Sequence, residues 1–113
     1  MLTPKQTQHF KQLIEERISE LERTASASQK ETEAYATRHG DPADQATAEY
    51  ERQAIVYRAA EARQKIKTLQ QALERIRSGK YGECAECGGE IEKKRLEVVP
   101  WARYCITCQE ARE

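Results

Sequence analysis

The chain has 113 residues, of which 38% are hydrophobic and 34% are charged, and it contains a single Phe. This composition excludes the thick hydrophobic core of an ordinary globular domain and favours a fold that needs only a narrow apolar seam. The 19 basic and 19 acidic residues give a net charge of zero and are interspersed along the chain, so the sequence shows no one-signed basic face of the kind that tight nonspecific binding to nucleic acid requires, and a protein partner is favoured over nucleic acid.

A first helix is predicted to begin at Thr3 and Pro4. Thr3 can cap the helix, Pro4 suits its first position, and Gln6 can bond back to Thr3 as in a capping box. Apolar or small residues then recur every three or four positions, which predicts one stripe on a helix. The stripe consists of Phe10, Ile14, Ile18, Leu21, Ala25, Ser28, Thr32 and Tyr35. His39 and Gly40 supply the C-terminal stop.

A second helix is predicted directly after this stop. Asp41 can cap it, Pro42 suits its first position, and Asp44 falls in the first turn, where the helix dipole favours a carboxylate. Its stripe consists of Ala48, Ile55, Ala59, Ala62, Ile66, Leu69, Leu73 and Ile76. Because the turn is so short, the two helices are predicted to form a long antiparallel coiled-coil hairpin with an acidic tip near residues 40–46. Tyr35, Tyr50 and Tyr57 could pack into its seam or face a partner, and we expect packing.

The remaining residues hold all four Cys and the only Trp. We therefore predict two regions, the hairpin in residues 1–79 and a small zinc-ribbon-like finger in residues 80–113, within a mainly α fold. Apolar residues in this finger suggest short strands, and Trp101 and Tyr104 are expected to cover the metal site. The residues assigned to strands are Ile91, Leu96, Val98 and Val99.

The cysteines form two pairs, Cys84 with Cys87 and Cys105 with Cys108, separated by seventeen residues. Two such pairs can close a tetrahedron of thiolates around one Zn²⁺, which would be structural because no coordination position stays open. Gly88 and Gly89 suit the positive φ of such a turn. The sequence shows neither a signal peptide nor a membrane-length apolar segment, so we expect a cytoplasmic protein in which paired cysteines indicate metal rather than disulfides.

Several runs resemble the DksA/TraR family of bacterial transcription regulators. They are residues 81–91, 95–97 and 105–108 with Pro100, and residues 41–46, which fit the family's Asp-x-x-Asp-x-Ala tip motif. The resemblance implies direct binding to RNA polymerase without reading promoter DNA. It also implies that the hairpin enters the polymerase secondary channel, where the tip roles fall on Asp41, Asp44 and Ala46.

The sequence departs from the long members of this family in three respects. Those members carry basic residues that help bind the alarmone ppGpp, at positions that align with Thr68, Val99 and Gln109. None of the three is basic here, so weak or no dependence on ppGpp is expected. The N-terminal extension of those members is expected to be absent, and their C-terminal helix is expected to be missing or vestigial.

Alternatives to this interpretation remain open from the residues alone. The finger could be a nucleic-acid-binding zinc ribbon whose basic residues contact phosphates, or the hairpin could be a coiled-coil adaptor. The basic residues are Lys93, Lys94, Arg95 and Arg103. One cysteine pair could instead serve a thiol-disulfide enzyme, and Asp41 and Asp44 could act only as helix-capping residues. We expect a monomer that is not an enzyme, does not bind DNA sequence-specifically and does not associate with membranes.

Overall fold

The computed structural model describes residues 2–38 and 42–113, and these residues are mainly α-helical. They form α1 (Pro4–Arg38), α2 (Pro42–Arg77), α3 (Lys93–Val98) and α4 (Ile106–Arg112). The predicted fold class is confirmed, with an antiparallel hairpin of α1 and α2 and a C-terminal region that gathers the cysteines. No helix within the described residues is long and apolar enough to cross a membrane.

The ends of α1 and α2 follow from their capping residues. The Thr3 N–H donates to Gln6 Oε1 at 2.9 Å, and the Gln6 N–H donates to Thr3 Oγ1 at 3.2 Å, so the predicted capping box is confirmed. At the end of α2, Gly79 has φ +78° and its N–H donates to the carbonyl of Ile76 at 3.2 Å. A left-handed glycine of this kind closes a helix with little steric cost. The predicted stop and cap at residues 39–41 lie outside the described residues.

The chain divides into two compact units. The cysteine unit contains Met1–Ile18 and Lys67–Glu113, and the helical unit contains Ser19–Ile66. The cysteine unit has a core of mixed side chains, against which partly buried residues such as Tyr81 and Tyr104 pack. Its buried members are Phe10, Cys84, Ile91, Leu96 and Ala102. The predicted boundary between residues 79 and 80 stays a prediction.

The helical unit has a narrow interior, made mostly of alanine. Among the residues of this unit whose burial is described, the buried apolar ones are Ala25, Ile55, Ala59 and Ala62, all of them in the predicted stripes. The expectation that Tyr50 and Tyr57 pack into this seam is wrong, because their side chains are 77% and 69% exposed. Both lie on the side of α2 away from Ile55, and a seam built from alanine leaves no room for a tyrosine ring.

The short strands predicted in the C-terminal region are also wrong. Lys93–Val98 is a helix, in which the Leu96 N–H donates to the Glu92 carbonyl at 3.1 Å. Leu96 is fully buried while Val98 is 72% exposed, so one leucine anchors the segment. A single helical turn needs only one buried residue, and Lys, Arg, Leu and Glu all favour helix. The described residues contain one isolated antiparallel bridge, between Glu83 and Glu90.

Candidate metal centre

The first cysteine pair lies in a tight loop. The Cys84 N–H donates to the Gly89 carbonyl at 2.7 Å, and the Gly88 N–H donates back to the Cys84 carbonyl at 3.1 Å. Gly88 has φ +75°, as predicted, whereas Gly89 does not belong to the glycines with positive φ. The Gly89 N–H instead points at Cys87 Sγ, 3.4 Å away. Two of these hydrogen bonds therefore close the loop, and the Gly89 N–H is directed at a sulfur, where it favours the thiolate form.

The second pair lies at the start of α4. Cys105 is the residue that precedes this helix, and its carbonyl accepts the Gln109 N–H at 2.9 Å. Cys108 follows within the first turn, so a spacing of three residues brings both sulfurs to one side. The Ala85 N–H donates to the Arg103 carbonyl at 2.8 Å, which joins the loop of the first pair to the segment leading into the second.

The four sulfurs come together as the spacing predicted. The Sγ atoms of Cys84, Cys87, Cys105 and Cys108 all lie within 4.8 Å of one another, and those of Cys87 and Cys105 are 3.9 Å apart. Zn–S bonds of about 2.3 Å in a tetrahedron separate neighbouring sulfurs by about 3.8 Å. The geometry and the chemistry of the donors therefore fit one Zn²⁺ held by four thiolates, with no position left for a reactive water.

Without a metal, the thiols of this site differ in how readily they ionise. Backbone N–H groups of Cys87 and Cys105 lower the pKa of Cys84 to about 6, because they donate hydrogen bonds to its thiolate. Hydrogen bonding with the sulfurs of Cys105 and Cys84 raises the pKa of Cys108 to about 12. Four thiols alone therefore resist full ionisation, and a bound divalent metal must displace protons to gain four thiolate ligands.

Buried side chains hold the site in place. Cys84 is 3% exposed and belongs to the core cluster of the cysteine unit. The Tyr104 ring packs against this cluster, and the guanidinium of Arg112 lies 4.4 Å from its centre. Both aromatic residues predicted to cover the site are half-buried. Tyr104 packs against the cluster that contains Cys84, whereas Trp101 does not belong to the residues that do so.

The basic residues predicted beside the site have different surroundings. Arg95 is half-buried and its Nε donates to the Tyr104 carbonyl at 3.2 Å, so this side chain is engaged inside the cysteine unit. Arg103 places its guanidinium 5.8 Å from the Tyr104 ring centre. Lys93 and Lys94 are exposed on α3. The four residues therefore do not form the continuous basic surface that phosphate binding favours.

Arg75 has a role that sequence reasoning missed. Its guanidinium donates to the Lys80 carbonyl at 3.1 Å and also to the Glu83 carbonyl, so it fixes the segment that leads into Cys84. Its Nε is buried without a hydrogen-bond partner. A basic residue in the last turn of a helix is a general signal for binding free carbonyl groups, but it does not reveal carbonyls that lie beyond the helix.

The predicted tip residues fall at the start of α2. Asp41 lies outside the described residues, Asp44 is the third residue of α2, and Ala46 is exposed in the following turn. Of the positions aligned with the alarmone ligands, Thr68, Val99 and Gln109 are all half-buried. The Gln109 side chain donates to Glu113 Oε1 at 3.1 Å.

Comparison with known proteins links these features. Residues 79–113 match the prokaryotic dksA/traR C4-type zinc finger, and this range includes all four cysteines of the site. The chain is 36% identical over 116 residues to the RNA polymerase-binding transcription factor DksA of Caulobacter vibrioides, covering 99% of this chain and 79% of that protein. It is 32% identical to the Salmonella typhimurium protein of the same name, covering 92% and 69%. The structure of transcription factor DksA2 from Pseudomonas aeruginosa matches with a TM-score of 0.90 at 29% identity, covering 96% and 84%.

Proposed function

The chain belongs to the DksA/TraR family, and from this premise we propose that it regulates bacterial transcription by binding RNA polymerase directly. The likeness to the Caulobacter DksA protein, which extends over nearly the whole chain, carries the proposal. Both halves of the fold enter that alignment, because the shared region includes the hairpin as well as the cysteines.

Within this proposal, Cys84, Cys87, Cys105 and Cys108 hold one structural Zn²⁺. The metal supplies stability to a loop-rich region and takes no part in chemistry, since four thiolates complete its coordination shell. Arg75 positions the first ligand by binding the carbonyls of the approaching loop. The thiols act as ligands, and neither pair serves as a redox centre.

The hairpin tip carries the regulatory action. Asp41, Asp44 and Ala46 act near the polymerase catalytic centre after the hairpin enters the secondary channel. The position of Asp44 in the first turn of α2 is consistent with this assignment, and the exposure of Ala46 supports it, because that residue is accessible to a partner. The sequence also predicts that Asp41 caps the helix and that Asp44 interacts favourably with the helix dipole, and these structural roles are compatible with the proposed function.

The remaining parts of the proposal concern ligands and partners. The effect on transcription depends weakly or not at all on ppGpp, because Thr68, Val99 and Gln109 offer no positive charge to a polyphosphate. The zero net charge and the internal engagement of Arg95 support binding to the polymerase without reading DNA sequence. The proposal further includes that the protein acts as a cytoplasmic monomer.

Two measurements test the proposal directly. Purified polymerase should retain this protein in a pull-down, and another secondary-channel factor should displace it in proportion to concentration. Transcription assays in the presence and absence of ppGpp should then give similar changes. Failure of polymerase to retain the protein would refute the proposal, whereas retention without competition would place the binding site elsewhere on the polymerase.

Asp44→Asn should separate binding from action. This substitution keeps the size of the side chain and removes its charge, so we expect polymerase affinity to stay within about twofold, the scale of one exposed charge. The effect on transcription should be lost. Glu49→Gln is the matched control, since it removes an exposed carboxylate from the same helix and should leave both properties intact. Parallel loss of binding and activity in Asp44→Asn would make the tip an anchor rather than an effector.

A further inference from the structure

One exposed side of α2 in the helical unit lacks charge. It consists of Ala46, Tyr50, Gln53, Tyr57 and Ala60, all of which are exposed, and we refer to it as the tyrosine ridge. Because successive helical residues are rotated by about 100°, these five positions follow one another along a single side of the helix. The ridge covers about four turns without an acidic or basic residue.

The ridge faces away from the interior of its unit. The buried residues of the same stretch are Ile55, Ala59 and Ala62, and helical periodicity places them roughly opposite the ridge. Tyr50 and Tyr57 are therefore 77% and 69% exposed because of where they lie on the helix. Contacts among the described residues of the helical unit do not explain why two aromatic residues occupy these positions.

The composition of the ridge is unusual for the outer side of a helix. A helix that covers a narrow core normally carries its charged residues on the side opposite the core, and 34% of this chain is charged. Here the charges lie beside the ridge, as in the ion pair of Glu49 with Arg52 at 3.0 Å. Tyrosine enrichment together with charge depletion is the composition that distinguishes the centre of a protein–protein interface from other surfaces.

We propose that the tyrosine ridge is a contact surface for RNA polymerase. The inference deepens the proposed function and rests on it, because the ridge begins at Ala46, one of the tip residues, and continues along the same side of α2. An element that inserts its tip into a channel brings the adjoining helix surface against the channel wall. The ridge thus supplies binding energy, while Asp44 supplies the regulatory effect.

Size and charge argue against other partners for the ridge. Two tyrosines bury about 150–250 Å² each, well below the roughly 800 Å² per partner of a stable interface, so the ridge is too small to hold a second copy of this chain by itself. As part of a larger interface its area is sufficient. A nucleic-acid backbone requires Lys or Arg, and the ridge has neither.

The test compares a double variant, Tyr50→Ala with Tyr57→Ala, with Val56→Ala in binding to purified RNA polymerase. Val56 is 51% exposed and lies next to Tyr57 in sequence, but it is rotated by about 100° away from that side chain. We expect the double variant to bind at least about tenfold more weakly, the scale of lost interface tyrosines, and the control to stay within about twofold. All three positions are exposed, so circular dichroism should show unchanged helix content.

A crosslinking experiment gives an independent measure. Tyr50→p-benzoylphenylalanine and Tyr57→p-benzoylphenylalanine should each crosslink to a polymerase subunit under ultraviolet light, and Val56→p-benzoylphenylalanine should do so much less. Crosslinking that is equal at the three positions would contradict a directed contact through the ridge.

The outcomes separate the two proposals. If the natural protein binds polymerase and the double variant binds equally well, the ridge assignment is overturned and the proposed function stands. If the natural protein does not bind polymerase, the proposed function fails and the assignment of the ridge fails with it. If sedimentation shows that the natural protein is dimeric, that the double variant is monomeric and that polymerase binding is unchanged, the ridge binds a second copy and the inference is wrong.

Discussion

The cysteine unit and the helical unit differ in the side chains that stabilise them. The cysteine unit buries large side chains such as Phe10, Ile91 and Leu96 beside a cluster of sulfurs. The helical unit buries Ile55 and otherwise mainly alanine. A chain this polar has too few apolar residues for two large hydrophobic cores. Its large apolar side chains lie in the cysteine unit, where the backbone is less regular.

This difference indicates where each unit obtains its stability. Two regular helices satisfy their own backbone hydrogen bonds, and residues such as Ala, Gln, Glu and Arg favour that conformation intrinsically. The loops around Cys84 and Cys105 have no such support and need the metal to fix them. The helical unit is therefore free to present exposed residues to a partner, whereas the surface of the cysteine unit is constrained by its ligands.

Cys105→Ser is the most severe test of the proposal that the cysteine unit depends on the metal and the helical unit does not. Loss of one ligand should abolish zinc binding, and metal binding contributes about 10–16 kcal/mol to the folding of small zinc modules. The bound zinc should fall from one ion to none by native mass spectrometry. Fluorescence of Trp101, the only tryptophan, should shift to the red as the cysteine unit loses its fold. More than half of the helical signal should persist, because Ser19–Arg38 and Pro42–Ile66 contain most of the helical residues.

Thr107→Ala is the control for this substitution. Thr107 lies between the two cysteines of the second pair and is exposed, so zinc content and fluorescence should be unchanged. If Cys105→Ser retained one zinc ion, the four-thiolate site would be wrong. If instead all helical signal vanished with the metal, the two units would not differ in the way proposed.

Leu96→Ala measures the contribution of the large side chains. Leu96 is fully buried, so its truncation should lower the free energy of unfolding by about 2–5 kcal/mol through lost burial and a new cavity. Val98→Ala, on the same short helix but 72% exposed, should change it by about 0.5 kcal/mol or less. Urea unfolding of the zinc-bound protein, followed by Trp101 fluorescence, gives both values. Equal effects would show that α3 does not anchor the cysteine unit.

Local signals in the sequence predicted the helices and the metal site. The capping box of Thr3 and Gln6 predicted the start of α1, because these residues act on the backbone next to them. The cysteine spacing was equally informative. A structural zinc site needs four ligands, so both cysteine pairs could be assigned to one site without knowledge of the structure between them.

Features that depend on distant contacts were not predictable in this way. Leu96 and Val98 alternate in a pattern that fits a strand, and the sequence does not reveal that Leu96 is fully buried while Val98 is exposed. In the sequence, Arg75 is an ordinary basic residue near the end of a helix. Only the folded chain shows that two carbonyls beyond α2 accept hydrogen bonds from it. The aromatic character of Tyr50 and Tyr57 favours the seam, but their positions along α2 place them on the side of the helix opposite Ile55.

Tyr81→Phe tests a smaller contribution to the cysteine unit. The Tyr81 hydroxyl donates to the Pro100 carbonyl at 2.7 Å, and its ring packs against Phe10 with centres 5.9 Å apart. Phenylalanine keeps the packing and removes the hydrogen bond, so the free energy of unfolding at neutral pH should fall by about 1 kcal/mol. Urea unfolding of the zinc-bound protein measures it, and Tyr57→Phe, an exposed tyrosine, is the matched control.

The pH dependence of Tyr81→Phe distinguishes this hydrogen bond from a general loss of packing. Burial, with a smaller effect from the Glu97 carboxylate, raises the pKa of Tyr81 well above its usual value. A raised pKa contributes stability below the unfolded value of about 10, and this contribution is lost as pH rises from there toward the folded value. Above about pH 10 the natural protein should therefore lose stability faster than Tyr81→Phe, and the difference between them should narrow. A constant difference from pH 7 to 11 would mean that the buried hydroxyl does not resist ionisation, and that the irregular unit is held at this point by packing alone.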